Sequence, residues 1–216
     1  MLTEKLHSYI EGLILDRDAL LAEMETYARE HNVPIMELAG IETMLQLLRI
    51  HGSKRILEVG TAIGYSALRM AVALPDSQVI TIERDRERIQ VAKEFIKRSE
   101  HGGQITIIEG DALEAEDAVR GHAPFDAIFI DAAKGQYKKF FEIYEKYLHG
   151  NGMIITDNVL FKGLVAEEEI EIKRTRNLVK KIDAFNHWLM SHPEYDSVIL
   201  PVGDGVAISK RRGERI

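Results

Sequence analysis

The chain has no cysteine among its 216 residues. That excludes a disulfide framework, a thiol nucleophile and a thiolate metal site. It also lacks any apolar run approaching the ~20 residues that a membrane span requires. The segment Met1-Leu2-Thr3-Glu4-Lys5 has neither the basic start nor the apolar centre of a signal peptide. A cytoplasmic location, with no membrane partner, is the expectation. Positive charge is in the minority, with 28 Lys and Arg against 35 Asp and Glu and a net charge of −7. A general nucleic-acid coat needs the opposite balance, although a local basic patch does not. The remainder, 45% apolar and 29% charged, suits a soluble globular chain, and the length suits one domain with a full core.

The first fifty residues read as helices. Leu2, Leu6, Tyr9, Ile10 and Leu13 fall at helical spacing. A second run, Leu20–His31, is broken at Asn32-Val33-Pro34, because proline lacks the donor and restricts its predecessor. A third, Met36–Ile50, ends near Gly52. From residue 55 the pattern changes to short β-rich runs alternating with helical ones. The predicted strands are Arg55–Val59, Val79–Glu83, Ile105–Ile108, Phe125–Ile130 and Gly152–Thr156. Helices are predicted at Tyr65–Leu74, Arg86–Ser99, Glu114–Val119 and Gln136–Tyr147. This is the rhythm of a parallel sheet with helices on both faces. A loop after residue 157 leads into a long helix at Ile172–Ser191, and Ser197–Pro201 and Val206–Ser209 flank a tight turn as an antiparallel hairpin.

The chemistry sits at strand ends. Asp131-Ala132-Ala133-Lys134 follows the run Phe125–Ile130, and Asp157-Asn158 follows Met153–Thr156. Two carboxylates and an amide oxygen form an all-oxygen set that suits a hard cation such as Mg²⁺, with Mn²⁺ or Ca²⁺ also admissible. Lys134 offers a base beside that cation; its plainer reading is a surface ion pair. The first strand runs into a glycine loop, Glu58-Val59-Gly60-Thr61-Ala62-Ile63-Gly64-Tyr65-Ser66. It lacks the third glycine of a dinucleotide fingerprint, which weakens the case for NAD. Glu83, at the end of the second strand, can accept from both hydroxyls of a ribose. Asp111 is placed to accept from an adenine amino group, or to cap the next helix, or both. Lys173-Arg174-Thr175-Arg176, with Lys180-Lys181, is the densest basic segment, and Lys210-Arg211-Arg212 follows near the end. Its plain reading is a solvated helix face and a charged tail.

Taken together, the glycine loop, ribose acid, base-reading acid and metal acids on successive strands resemble the S-adenosylmethionine-dependent methyltransferases of the Rossmann-like type. The metal half resembles the catechol and caffeoyl-CoA O-methyltransferase family. The resemblance covers nearly the whole chain, including Pro34-Ile35-Met36 and the hairpin Pro201-Val202-Gly203-Asp204-Gly205. It implies a seven-stranded, mostly parallel sheet with an antiparallel C-terminal hairpin, forming one domain over 1–216 with a helical cap over 1–52 and the core over 53–216. It places Met36, Gly60, Ser66, Glu83, Asp111, Ala112 and Asp131 around S-adenosylmethionine. Asp131, Asp157 and Asn158 become ligands of Mg²⁺ or another divalent cation, and Lys134 the catalytic lysine.

No match is evident to the carboxylate that orients catechol, or to the long acyl-CoA recognition loops of the plant enzymes. The runs from Ile130 to Tyr137 and from Asp157 to Gly163 resemble most a bacterial branch that includes members acting on 5-hydroxyuridine at the tRNA wobble position. That implies a tRNA anticodon stem-loop as partner. Lys162, Lys173, Arg174, Arg176 and the basic tail would contact phosphates, with Phe161 or Tyr137 stacking on a flipped base. The competing expectations are a small catechol-like phenol as acceptor and a non-catalytic nucleotide or RNA binder. The resemblance also implies a homodimer; the apolar N-terminal helices, with Leu2, Leu6, Tyr9 and Ile10, would either pair two subunits or cover the active site.

Overall fold

A parallel strand covered on both faces carries a near-continuous apolar run. β1 (Arg55–Val59) and β2 (Gln78–Glu83) have this character and are buried except at their ends. β3 (Ile105–Glu109) follows, then β4 (Phe125–Ile130) and β5 (Leu148–Thr156), with β6 (Tyr195–Leu200) and β7 (Val206–Arg211) closing the chain. The computed structural model describes residues 4–212. The seven strands form one sheet in the order β3-β2-β1-β4-β5-β7-β6. β1 to β5 pair in parallel, and β7 inserts antiparallel between β5 and β6. This is the expected Rossmann-like methyltransferase architecture.

Alternate residues of each strand serve opposite faces. Ile56, Val79, Ala127, Phe129 and Ile155 face a layer made by α2 (Ala19–Glu30), α3 (Leu38–His51), α4 (Tyr65–Ala73) and α5 (Arg86–Arg98). Leu57, Ile80, Ile128, Ile130 and Ile154 face α6 (Glu116–Arg120), α7 (Tyr137–Tyr144) and α8 (Lys173–Met190). α1 (Glu4–Glu11) packs on α3 and leaves Tyr9 exposed, as are Leu13, Leu15 and Ile50 nearby. Leu2 lies outside the described residues. No helix among the described residues is long and apolar enough to cross a membrane. Asp18 caps α2 through the Leu21 N–H, and Asp85 caps α5 through Glu87 and Arg88.

Several boundaries differ from the sequence expectation, each for a tertiary reason. β5 starts at Leu148 rather than Gly152, because Leu148 pairs with Phe125 before the register shifts to Ala127–Met153. The glycine-rich stretch is absorbed into this irregular strand. A Cβ on Gly152 would stand 2.6 Å from the Leu148 side chain. α3 starts at Leu38, which leaves Met36 in an extended strap, where it is buried. β7 continues to Arg211, which donates to the Glu145 carbonyl and the Tyr195 hydroxyl, while Arg212 pairs with Asp196. These two arginines are engaged within the fold and do not form the free basic tail expected from sequence.

Candidate active site

Open α/β sheets bind ligands beyond the carboxyl ends of their strands. In register, Ile130 of β4 lies opposite Thr156 of β5, so Asp131 and Asp157 emerge side by side. Their N–H groups extend the ladder: Asp131 donates to the Val59 carbonyl at 3.0 Å and Asp157 to the Ile130 carbonyl at 3.1 Å. A cleft of about 580 Å³ opens over these ends. Six expected cofactor residues line it, namely Met36, Gly60, Glu83, Asp111, Ala112 and Asp131. Lys134 and Asn158 line it as well. Ser66 lies in a small adjoining recess with Met36, Gly60 and Asp131.

The glycine loop is shaped by its neighbours as much as by any ligand. Gly60 has φ +110°, and a Cβ there would stand 2.1 Å from the Asp131 carbonyl oxygen. Glycine is therefore required for the end of β1 to touch the end of β4. The Ala62 N–H donates to Glu83 Oε2 at 2.8 Å, and the N–H groups of Arg84 and Asp85 donate to Oε1. Glu83 is thereby fixed at the cleft wall. Asp111 accepts from the Leu113 N–H at 2.9 Å and from Arg84 Nη1 at 3.0 Å, and these contacts hold its carboxyl below the usual range. Because α6 begins only at Glu116, Asp111 folds the intervening turn and does not cap that helix. Arg84, which sequence reasoning passed over, follows Glu83 directly and lines the cleft.

Behind the loop, Glu58 is wholly buried in β1. It accepts from the Ser66 hydroxyl and, at 2.5 Å, from the Thr81 hydroxyl. Burial pushes its carboxyl up to about 7, outweighing the two hydroxyls that lower it. The folded group thus holds its proton more tightly than an unfolded glutamate, which titrates near ~4.3. The resulting stability is whole below that unfolded value and is lost as pH rises to about 7. Glu58→Gln removes the linkage. Relative to the parent it should gain about 3 kcal/mol between pH ~4.5 and ~8. Melting curves at both pH values test this, and a constant difference between the two proteins would refute it.

Asp157 is buried and Asp131 lies partly open to the cleft. Burial pushes both carboxyls above their usual range, and the Asp131 charge pushes Asp157 further. The Asn158 amide donates to Asp157 Oδ2 at 2.6 Å, leaving its own oxygen available. Lys134 is displaced downward, first by burial, against the opposing charges of Asp131, Asp157 and Asp204. Two crowded carboxylates and an amide oxygen fit a divalent cation, whose charge would offset the repulsion and desolvation. Among the described residues no cluster of three or more His, Cys, Asp or Glu competes with this site. A cation here would complete its shell with water or substrate oxygens, as Mg²⁺ commonly does. Asp204, read from sequence only as part of a turn, joins the site because the hairpin folds back over it.

Tyr137 is not available for stacking. It is buried against Phe185, with its hydroxyl unpaired. Phe161 is partly exposed and stands 5.5 Å from Lys134 Nζ. Lys173 and Arg174 line a second, open groove with Asn177, Leu178 and Lys181. Leu178 also lines the main cleft, so the two adjoin at that residue. Arg176 is exposed but is not part of the groove lining. Lys162 sits close enough to Lys134 for its charge to be felt there.

Known proteins share this sequence and fold. A profile of the O-methyltransferase family matches residues 13–212. The catechol O-methyltransferase of Niastella koreensis is 34% identical over 217 residues, covering 95% of this chain and 96% of that one. A crystal structure from Staphylococcus aureus superposes with a TM-score of 0.91 at 38% identity, over 97% of this chain and 100% of the other. The O-methyltransferase of Bacillus cereus, solved in complex with SAH, gives a TM-score of 0.81 at 25% identity, over 96% and 97% of the two chains. With a family profile over residues 13–212 and relatives matched along almost its full length, the chain belongs to the O-methyltransferase family and uses S-adenosylmethionine to methylate oxygen.

Proposed function

We propose that this enzyme methylates the 5-hydroxyl of 5-hydroxyuridine at the wobble position of tRNA, giving 5-methoxyuridine, with Asp131, Asp157 and Asn158 holding a divalent cation. The observation that carries this reading is the groove along α8. Lys173, Arg174 and Lys181 have no carboxylate partner among the described residues, and the groove adjoins the cleft at Leu178. Unpaired cations in a row suit phosphates, and a small phenol has no use for them. A single-stranded anticodon loop can track the groove while one base turns into the cleft.

The cation, when bound, lowers the proton affinity of an acceptor hydroxyl and orients it. The protein's own residues do the rest. Glu83 and Asp111 bind the nucleoside end of the donor, and Met36 closes over it from the strap. Lys134 takes the hydroxyl proton as a neutral amine, a form that its burial favours. The substrate oxygen then attacks the methyl carbon, and the carbon–sulfur electron pair stays on sulfur, giving S-adenosylhomocysteine. Two adjacent acceptor oxygens satisfy this site, as in 5-hydroxyuridine and in catechol. The name of the Niastella koreensis relative favours catechol-like phenols as the second reading.

Reversing the groove charges (Lys173→Glu, Arg174→Glu and Lys181→Glu together) separates the two. Turnover per KM on a stem-loop carrying 5-hydroxyuridine should fall by roughly a hundredfold at low salt. Turnover on catechol should be unchanged. Efficient catechol methylation with none on the stem-loop would sink the tRNA reading.

A further inference from the structure

We propose that Phe161 is a positioning residue for Lys134: the loop after β5 is bent so that an aromatic face lies against the lysine nitrogen, confines it beside the acceptor oxygen and steadies the ammonium it becomes on taking the proton. The proposal concerns the shared chemistry and holds for either acceptor. Lys134 lacks the anchor that usually fixes a lysine among carboxylates. Among the described residues it forms no ion pair or hydrogen bond with Asp131, Asp157 or Asp204. Its one directional contact among the described residues is the Phe161 ring, 5.5 Å from Nζ to centroid, within cation–π range. Without that contact a four-carbon stem keeps many rotamers.

Phe161 reaches this position through a backbone that ordinary residues avoid. Its φ is 46°, and Lys162 and Gly163 follow at 57° and 80°. Left-handed residues other than glycine persist where the surroundings over-determine them, and here they do so from two sides. The Val159 N–H donates to the Gly205 carbonyl at 3.0 Å, and the N–H groups of Leu160 and Phe161 donate to the Asp204 carbonyl at 2.8 and 3.2 Å. From α8, the Asn186 amide donates to the Val159 carbonyl at 2.7 Å. Gly205 has φ +91°, and a Cβ there would stand 2.4 Å from Leu160 Cγ, so turn and loop interlock. Core burial does not explain the ring, which is partly exposed and belongs to neither hydrophobic cluster. Its placement is explained by what it touches.

The test compares Phe161→Leu, which keeps bulk but loses the π face, with Phe161→Tyr, which keeps the face. Phe161→Met replaces the leucine variant should that fail to fold. Two readouts are taken: single-turnover methyl transfer at saturating acceptor, and the rate at which an N-hydroxysuccinimide ester acetylates Lys134, followed by peptide mass spectrometry. The leucine variant should lose about tenfold in turnover, with S-adenosylmethionine affinity and melting midpoint unchanged. Its Lys134 should be acetylated several-fold faster, and the tyrosine variant should restore both readouts. Unchanged turnover, unchanged labelling in the leucine variant, or a tyrosine variant as impaired as the leucine one would each overturn the proposal. Labelling needs no acceptor, so failure of the stem-loop as a substrate bears on the tRNA reading alone.

Discussion

Asp157→Ala should lower methyl transfer by about a thousandfold or more, since a Lewis acid supplies several kcal/mol at such a site. The same change should not lower the stability of the metal-free protein. Asp157 is a carboxylate buried beside a second one, and burial pushes both upward. An acid held this way costs the fold free energy unless a cation offsets it. The parent should therefore melt at a higher temperature when Mg²⁺ is added, whereas the alanine variant should melt at one temperature with or without it. Retained turnover, or a variant still stabilised by Mg²⁺, would remove Asp157 from the ligand set.

Lys134→Met carries the second large effect. Loss of a positioned general base lowers turnover by about 10²–10⁴, and binding of S-adenosylmethionine should be unaffected. Burial lowers the proton affinity of Lys134 below that of an ordinary lysine, and only the neutral amine can accept a proton. Parent turnover should therefore rise with pH, with an inflection below the usual lysine range, and this rising limb should vanish in the methionine variant. Should the variant keep the limb, the titrating base is another group.

Much of this site is legible in the sequence because strand ends are legible. The apolar runs of β1, β2 and β4 stop at Val59, Glu83 and Ile130, and in a parallel sheet all such stops fall on one edge. Asp131 and Asp157, one residue past β4 and β5, therefore emerge side by side. What stayed hidden depends on partners distant in the chain. Arg211 reads as a free tail residue until Glu145, 66 positions earlier, appears beside it. Tyr137 reads as a stacking candidate until Phe185 covers it. The left-handed backbone of Phe161 has no local signal, because its hydrogen-bond acceptor is the carbonyl of Asp204, in a turn distant along the chain. Arg176 differs: helical phase alone separates it from Arg174, Leu178 and Lys181, which recur at intervals of three and four along one face of α8.

The insertion of β7 between β5 and β6 has a consequence for biosynthesis. Until β7 arrives, β6 has no neighbour in the sheet and the loop carrying Phe161 has no Asp204 or Gly205 carbonyl to bend around. Synthesis from the amino terminus delivers β1 to β6 before β7. The edge of the sheet and the bend at Phe161 are therefore completed together, when β7 enters between β5 and β6.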